Sequence, residues 1–102
     1  MRIAVAAVGT FVAVALGHCE NFILFDVENG KISAKKDITY PHHRSGFLPA
    51  FLAENGVSVM IVGYPGQAIV DMFEEQNIKI VANAQGDATD AVNAYLRDYG
   101  TV

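Results

Sequence analysis

Between Val57 and Gln67 the chain reads VSVMIVGYPGQ, and no other stretch narrows the fold as much. Val57, Val59, Met60, Ile61 and Val62 make a nearly unbroken apolar run, rich in β-branched residues and too short for a long helix. Such a run reads as a strand buried on both faces, usually a central parallel one. Gly63 and Gly66 then permit a sharp turn. Pro65 suits the first turn of a following helix, where its missing N–H costs nothing. A strand, a glycine turn and a helix start in succession leave backbone N–H groups aimed at one spot, which suits an anion. A plain connection that binds nothing uses the same residues. Neither the P-loop nor the dinucleotide fingerprint is present, because no Lys follows the glycines and a third glycine is missing.

The rest of the chain can be placed around that strand. Arg2–Val8 is a first strand, apolar on both faces and therefore central, broken by Gly9-Thr10. Phe11–Leu16 is either a second short strand or an apolar loop, and Gly17–Asn21 is a polar loop. Phe22–Val27 is a strand, and Glu28-Asn29-Gly30 supplies a hairpin turn. On the returning strand, Lys31–Tyr40, alternation puts Ile32, Ala34, Ile38 and Tyr40 on one face, with Lys36 the exception. Lys31, Ser33, Lys35, Asp37 and Thr39 take the other face, and lysines on a strand edge discourage association between sheets. Pro41 ends this strand, and His42-His43-Arg44-Ser45-Gly46 is a second polar loop. Phe47–Glu54 is a short helix with Phe47/Phe51 and Leu48/Leu52 at i,i+4, stopped by Asn55-Gly56. Gly66–Gln76 is a second helix, with Ile69, Met72, Phe73 and Gln76 along one side. After the strand Ile78–Ala82 and the turn Asn83–Gly86, Asp87 caps a last helix striped with Ala88, Ala91, Val92, Tyr95, Leu96 and Tyr99.

Assembled, these elements predict a hairpin joined to βαβ units, with helices on both faces of a mixed five-stranded sheet. Ligands of such sheets sit at the carboxyl ends of the parallel strands. Here those ends are the turns at Gly9, Gly63–Gly66 and Asn83–Gly86. The Cys19 and His42–His43 loops are expected to close over them.

Composition removes several function classes. At 102 residues, 52% hydrophobic and 18% charged, residues 1–102 read as one compact domain. A net charge of -4 with only 7 scattered Lys and Arg lacks the footprint of a nucleic-acid binder. The single cysteine excludes an internal disulfide. Met1-Arg2 and the apolar run to Gly17 imitate a secretion signal, with Cys19 posing as a lipoprotein cysteine. However, His18 stands where small residues are needed, and the run is too short to span a membrane. The expectation is a cytoplasmic protein without membrane contact.

Five motifs in order carry a family resemblance: MRIAV at the start, Gly17-His18-Cys19-Glu20-x-Phe22, and Pro41-His42-His43-x-x-Gly46-x-Leu48-Pro49-x-x-Leu52. Then come Val57-x-Val59-x-Ile61-x-Gly63-x-x-Gly66 and Gly86-Asp87-Ala88-x-x-Ala91-Val92-x-Ala94-Tyr95-Leu96. Together they resemble the dinitrogenase iron–molybdenum cofactor biosynthesis family, small accessory and carrier domains of nitrogenase cluster assembly. The resemblance implies a three-layer α/β/α ribonuclease-H-like sandwich of strand order 3-2-1-4-5, strand 2 antiparallel. It also implies binding of the iron–molybdenum cofactor, a precursor or a related sulfide cluster. Two departures stand out. Ala15-Leu16-Gly17 replaces a His-Phe-Gly, removing one candidate contact, and Tyr64-Pro65 brings a bulky ring into a turn that is usually Gly-Gly-x-Gly.

Candidate ligands follow from their chemistry. Cys19 offers a soft thiolate suited to iron, copper or a sulfide cluster, and the same residue fits a small buried apolar position equally well. His18, His42 and His43 are the only histidines, all in polar loops beside the presumed ligand edge. Arg44 and the N–H groups at Gly66-Gln67, with Gly17 and Gly63 in the matching motifs, are positioned to offset a cluster's negative charge. A preassembled cluster brings its own sulfide and needs few anchors; a homodimer would double those a monomer offers. Ser45 beside His43 does not make a nucleophile pair, so no enzyme is expected. The leading expectation is a non-enzymatic carrier of a metal–sulfur cluster that works with cluster-assembly or acceptor proteins. The alternative is a small-anion-sensing or protein-interaction domain that kept the fold without metal.

Overall fold

The computed structural model describes residues 1–39 and 47–99, with side chains for all of these except residues 47, 67, 68 and 99. The expectations for Tyr40, Pro41, His42, His43 and Arg44 lie outside the described residues.

Six strands form one mixed sheet: β1 (Arg2–Val8), β2 (Phe11–Val12), β3 (Asn21–Glu28), β4 (Lys31–Thr39), β5 (Val57–Ile61) and β6 (Lys79–Val81). The path through it is β4–β3–β1–β5–β6, with β2 paired to β1 off that path. β1 lies antiparallel to β3 and parallel to β5, and β5 lies parallel to β6. The sixth strand corrects the expected five. Phe11–Val12 folds back on Ala7–Val8 across Gly9, whose φ of +63° suits a residue without a side chain. The chain then runs irregularly to Leu16, so the ambiguous stretch is part strand and part loop.

Strand alternation builds two cores. Ile3, Val5 and Ala7 of β1 pack with Phe25, Ile61, Val92 and Leu96. Ala4 and Ala6 pack with Phe22, Met60, Leu52 and Phe73. Helix α3 (Ala88–Tyr99) therefore covers one face of the sheet. α1 (Phe47–Glu54) and α2 (Gln67–Glu75) cover the other. The small Ala4 and Ala6 leave room for the large rings of Phe22 and Phe73, each contributing about 2–3 kcal/mol on burial. Asp87 caps α3 as expected, its Oδ1 accepting the Asp90 N–H at 3.1 Å.

β4 departs from simple alternation. Asp26 pairs with Ala34 but Val27 pairs with Ile32, so Ser33 is an extra, bulged residue. One inserted residue turns over every side chain beyond it. Ile32 consequently packs with the α3-side core and Ile38 with the opposite one. The single apolar face expected of Ile32, Ala34 and Ile38 does not form. At the hairpin tip, Asn29 and Gly30 both adopt positive φ, 54° and 76°, as the Asn-Gly turn requires.

Candidate functional site

At the carboxyl ends of β1, β5 and β6 three loops are laced by backbone hydrogen bonds. Gly63 N–H donates to Ala13 O at 3.0 Å, Tyr64 N–H to Val14 O at 2.7 Å, and Leu16 N–H to Tyr64 O at 2.9 Å. From the other side Asn83 N–H donates to Gly63 O at 2.7 Å and Val12 N–H to Gly86 O at 2.8 Å. The approach is so close that a Cβ on Gly63 would lie 2.2 Å from Val14 O. This glycine is required by backbone contact. Of the two readings of this turn, the plain connection fits its Gly63 end, where the N–H groups of Gly63 and Tyr64 are already committed. Gly66, at φ 86°, precedes α2 without a side-chain cap.

The laced rim borders a cleft of about 300 Å³. Val12, Val14 and Ala84 give it apolar walls, and Tyr64, Asn83 and Gln85 give it polar groups. No charged side chain among the described residues lines it. Val14 and Tyr64 are 83% and 67% exposed although their backbones are tied down. Sequence reasoning named the turns but missed Val14, because hydropathy alone does not separate it from its buried neighbours Val12 and Ala13.

Cys19 does not reach this rim. A 3-10 turn, Leu16–His18, turns the chain so that Cys19 N–H donates to Leu16 O at 3.2 Å. The side chain then enters the core with Ala13, Leu16 and Phe22 and is 6% exposed. Burial pushes its thiol up to about 12, so the thiolate a metal needs is suppressed at neutral pH. His18, the residue before it, is exposed. The expected meeting of Cys19 with imidazoles at the rim is therefore corrected for the described residues. Among them no group of three or more His, Cys, Asp or Glu side chains could hold a metal ion. Gly17 is exposed, and a Cβ there would meet nothing.

A larger hollow of about 610 Å³ lies at the amino ends of β1 and β5, beside Arg2, Asp26, Glu54 and Asn55. Arg2, Asp26, Ser33 and Asn55 are engaged in hydrogen bonds there. Arg2 Nε donates to Asp26 Oδ1 at 2.6 Å and Arg2 Nη1 to Asn55 O at 2.7 Å. The Arg2 guanidinium holds the Asp26 carboxyl below the usual carboxylate range. No helix among the described residues is long and apolar enough to cross a membrane.

Comparison with known proteins agrees with this architecture. The sequence profile of a family described as dinitrogenase iron–molybdenum cofactor matches residues 1–98. The crystal structure of the protein PH0822 superposes with a TM-score of 0.89 at 22% identity, covering 96% of this chain and 90% of that one. The apo form of the orange protein from Desulfovibrio gigas gives 0.74 at 23% identity, covering 99% and 89%. A Thermotoga protein of the DUF35 family gives 0.74 at 20% identity, covering 94% and 87%. At such identities these likenesses establish the fold alone. Curated proteins give no match.

Proposed function

This chain belongs to the dinitrogenase iron–molybdenum cofactor family, and from that premise we propose that it binds a preassembled metal–sulfur cluster as cargo without transforming it. In this reading the layered sheet is of ribonuclease-H-like type, and the guest is the iron–molybdenum cofactor, a precursor or a related sulfide cluster. Cluster-assembly or acceptor proteins in the cytoplasm are its partners. The observation that carries the reading is the apolar-walled, backbone-laced cleft at the carboxyl ends of the sheet, in a chain matched by the family almost end to end.

Sulfides on such a cluster accept N–H hydrogen bonds and tolerate apolar walls; the cleft has the side-chain amides of Asn83 and Gln85 for the first and Val12, Val14 and Ala84 for the second. Metal positions still open on the guest are taken by imidazoles, the exposed His18 together with His42 and His43 from the sequence after β4. Arg44 and the uncapped start of α2 at Gly66-Gln67 offset its negative charge. Cys19, held as a thiol, contributes to folding first and becomes a ligand only if the Leu16–His18 turn opens. Few and exchangeable anchors suit a carrier, which must release what it holds.

Anaerobic reconstitution with iron, sulfide and molybdate tests the reading. Charge-transfer absorption is expected in the wild type and in Cys19→Ala, and its loss in a variant with His18, His42 and His43 all changed to Ala. A protein that stays colourless in every trial contradicts it. Stabilisation of the fold by phosphate or a nucleotide instead would support the anion-sensing alternative.

A further inference from the structure

β4 pairs with β3 alone among the described strands, so one row of its backbone N–H and C=O groups borders no strand. Lys31, Lys35 and Lys36 stand exposed along it, the usual guard against indiscriminate pairing. The guard has one gap. Two copies set edge to edge by a two-fold axis perpendicular to the sheet have antiparallel strands, and each face stays on its own side. Directly opposed residues then share a face, so the axis must pass through a residue and not between two.

Beyond the Ser33 bulge the described strand runs to Thr39, so a centre at Ile38 pairs only residues 37–39 within it, and the longer overlaps have their centres at Lys35, Lys36 and Asp37. Centring on Lys35 opposes Lys35 to itself and Ala34 to Lys36. Centring on Asp37 opposes two carboxylates. Centring on Lys36 opposes Lys35 to Asp37 twice and Ala34 to Ile38 twice, and only Lys36 meets its own copy. Opposite charges across strands attract and like charges repel by similar amounts, so two favourable charge pairs stand against one unfavourable pair. Asn21 Nδ2 donates to Asp37 Oδ1 at 2.9 Å, which orients the carboxylate and leaves its other oxygen for a lysine.

We propose that the β4 edge joins two copies of this chain in the Lys36-centred register. The two sheets become one, and the two carboxyl-end rims point in opposite directions. Each copy therefore keeps a separate site, and a cargo is not shared between them. The proposal does not depend on what the rim binds.

Sedimentation across a concentration series tests it, with isotope-filtered NOEs between Lys35 and Asp37 as the register readout. Dimerisation is expected for the wild type. Lys36→Val, which removes the repulsion on the axis, should tighten it about fivefold, and Lys35→Asp should weaken it about tenfold. The exchange Lys35→Asp with Asp37→Lys should restore it to within about threefold of wild type. Lys36→Val reads the register as a gain, even where a charge reversal lowers stability. A protein that stays monomeric as both wild type and Lys36→Val overturns the proposal. So does a dimer that Lys35→Asp leaves intact or that the exchange fails to restore.

Discussion

The two ends of the sheet are finished in opposite ways. At the amino ends Arg2 joins Asp26 and the Asn55 carbonyl, and the N-terminal ammonium donates to Val27 O at 3.2 Å. At the carboxyl ends the lacing is backbone to backbone, and the side chains of Val14 and Tyr64 are left over, facing solvent. An end whose polar groups answer one another has little to offer a guest, however large the hollow. An end laced mostly by main chain, with the Asn21 side chain bridging the Gly9 turn, keeps most of its side chains for contact. The size of a cavity is therefore a poor guide here, since the hollow of about 610 Å³ is at the self-satisfied end and the cleft of about 300 Å³ at the open one.

The hardest blow to this contrast is Gly63→Ala. A Cβ placed 2.2 Å from Val14 O must push the two loops apart, because backbone cannot step aside as a flexible side chain does. A loss of about 3 kcal/mol in urea unfolding is expected. A near-neutral result would mean that the lacing is not what shapes the rim.

Next in size is Cys19→Ser. A hydroxyl in that apolar site without a partner should cost about 1–3 kcal/mol. The thiol also gives the wild type an alkaline signature. Its value is raised in the folded state from 9.0 to about 12, so the neutral form is favoured by folding. The stability this confers is complete below pH 9.0 and is lost as pH rises towards about 12. Cys19→Ala should remove that component of the alkaline limb in a pH series of urea midpoints.

How much of this was legible in the residues differs between elements for physical reasons. Val57–Val62 announces a buried strand because both its faces are apolar, and Asp87 announces a helix start because its function is local. The β4 bulge was hidden, since which residue of Lys31–Thr39 lacks a partner depends on pairing with β3, a non-local fact. Cys19 misled in the same way. Its neighbours Gly17, His18 and Glu20 are exposed, and composition does not show which member of a polar loop a 3-10 turn points inward. Gly63 was read as a turn glycine, whereas what requires it is the close approach of the Ala13 and Val14 backbone. The histidines at 42 and 43 fall outside the described residues, so they remain within the proposal.

Smaller effects sharpen the comparison. Tyr64→Ala should change stability by only about 0.5 kcal/mol, because the ring is 67% exposed, yet it should weaken cargo retention in a gel-filtration assay of the loaded protein. Arg2→Gln should shift the urea midpoint least, since an ion pair this open to solvent is screened. Its mark is at acid pH. Asp26 is depressed by Arg2, so the pair's contribution is present above the ordinary carboxylate range and fades as pH falls through the folded value. Arg2→Gln should flatten that part of the acid limb and leave the alkaline limb as it was.

Amide chemical-shift mapping on the protein reconstituted anaerobically with iron, sulfide and molybdate bears most directly on the proposed division of labour between the two ends. The changes should gather at Val12–Val14, Gly63–Tyr64, Asn83–Gln85 and His18, with Arg2, Asp26 and Asn55 unmoved. Shifts centred on the Arg2 hollow, or none anywhere in the chain, would contradict it.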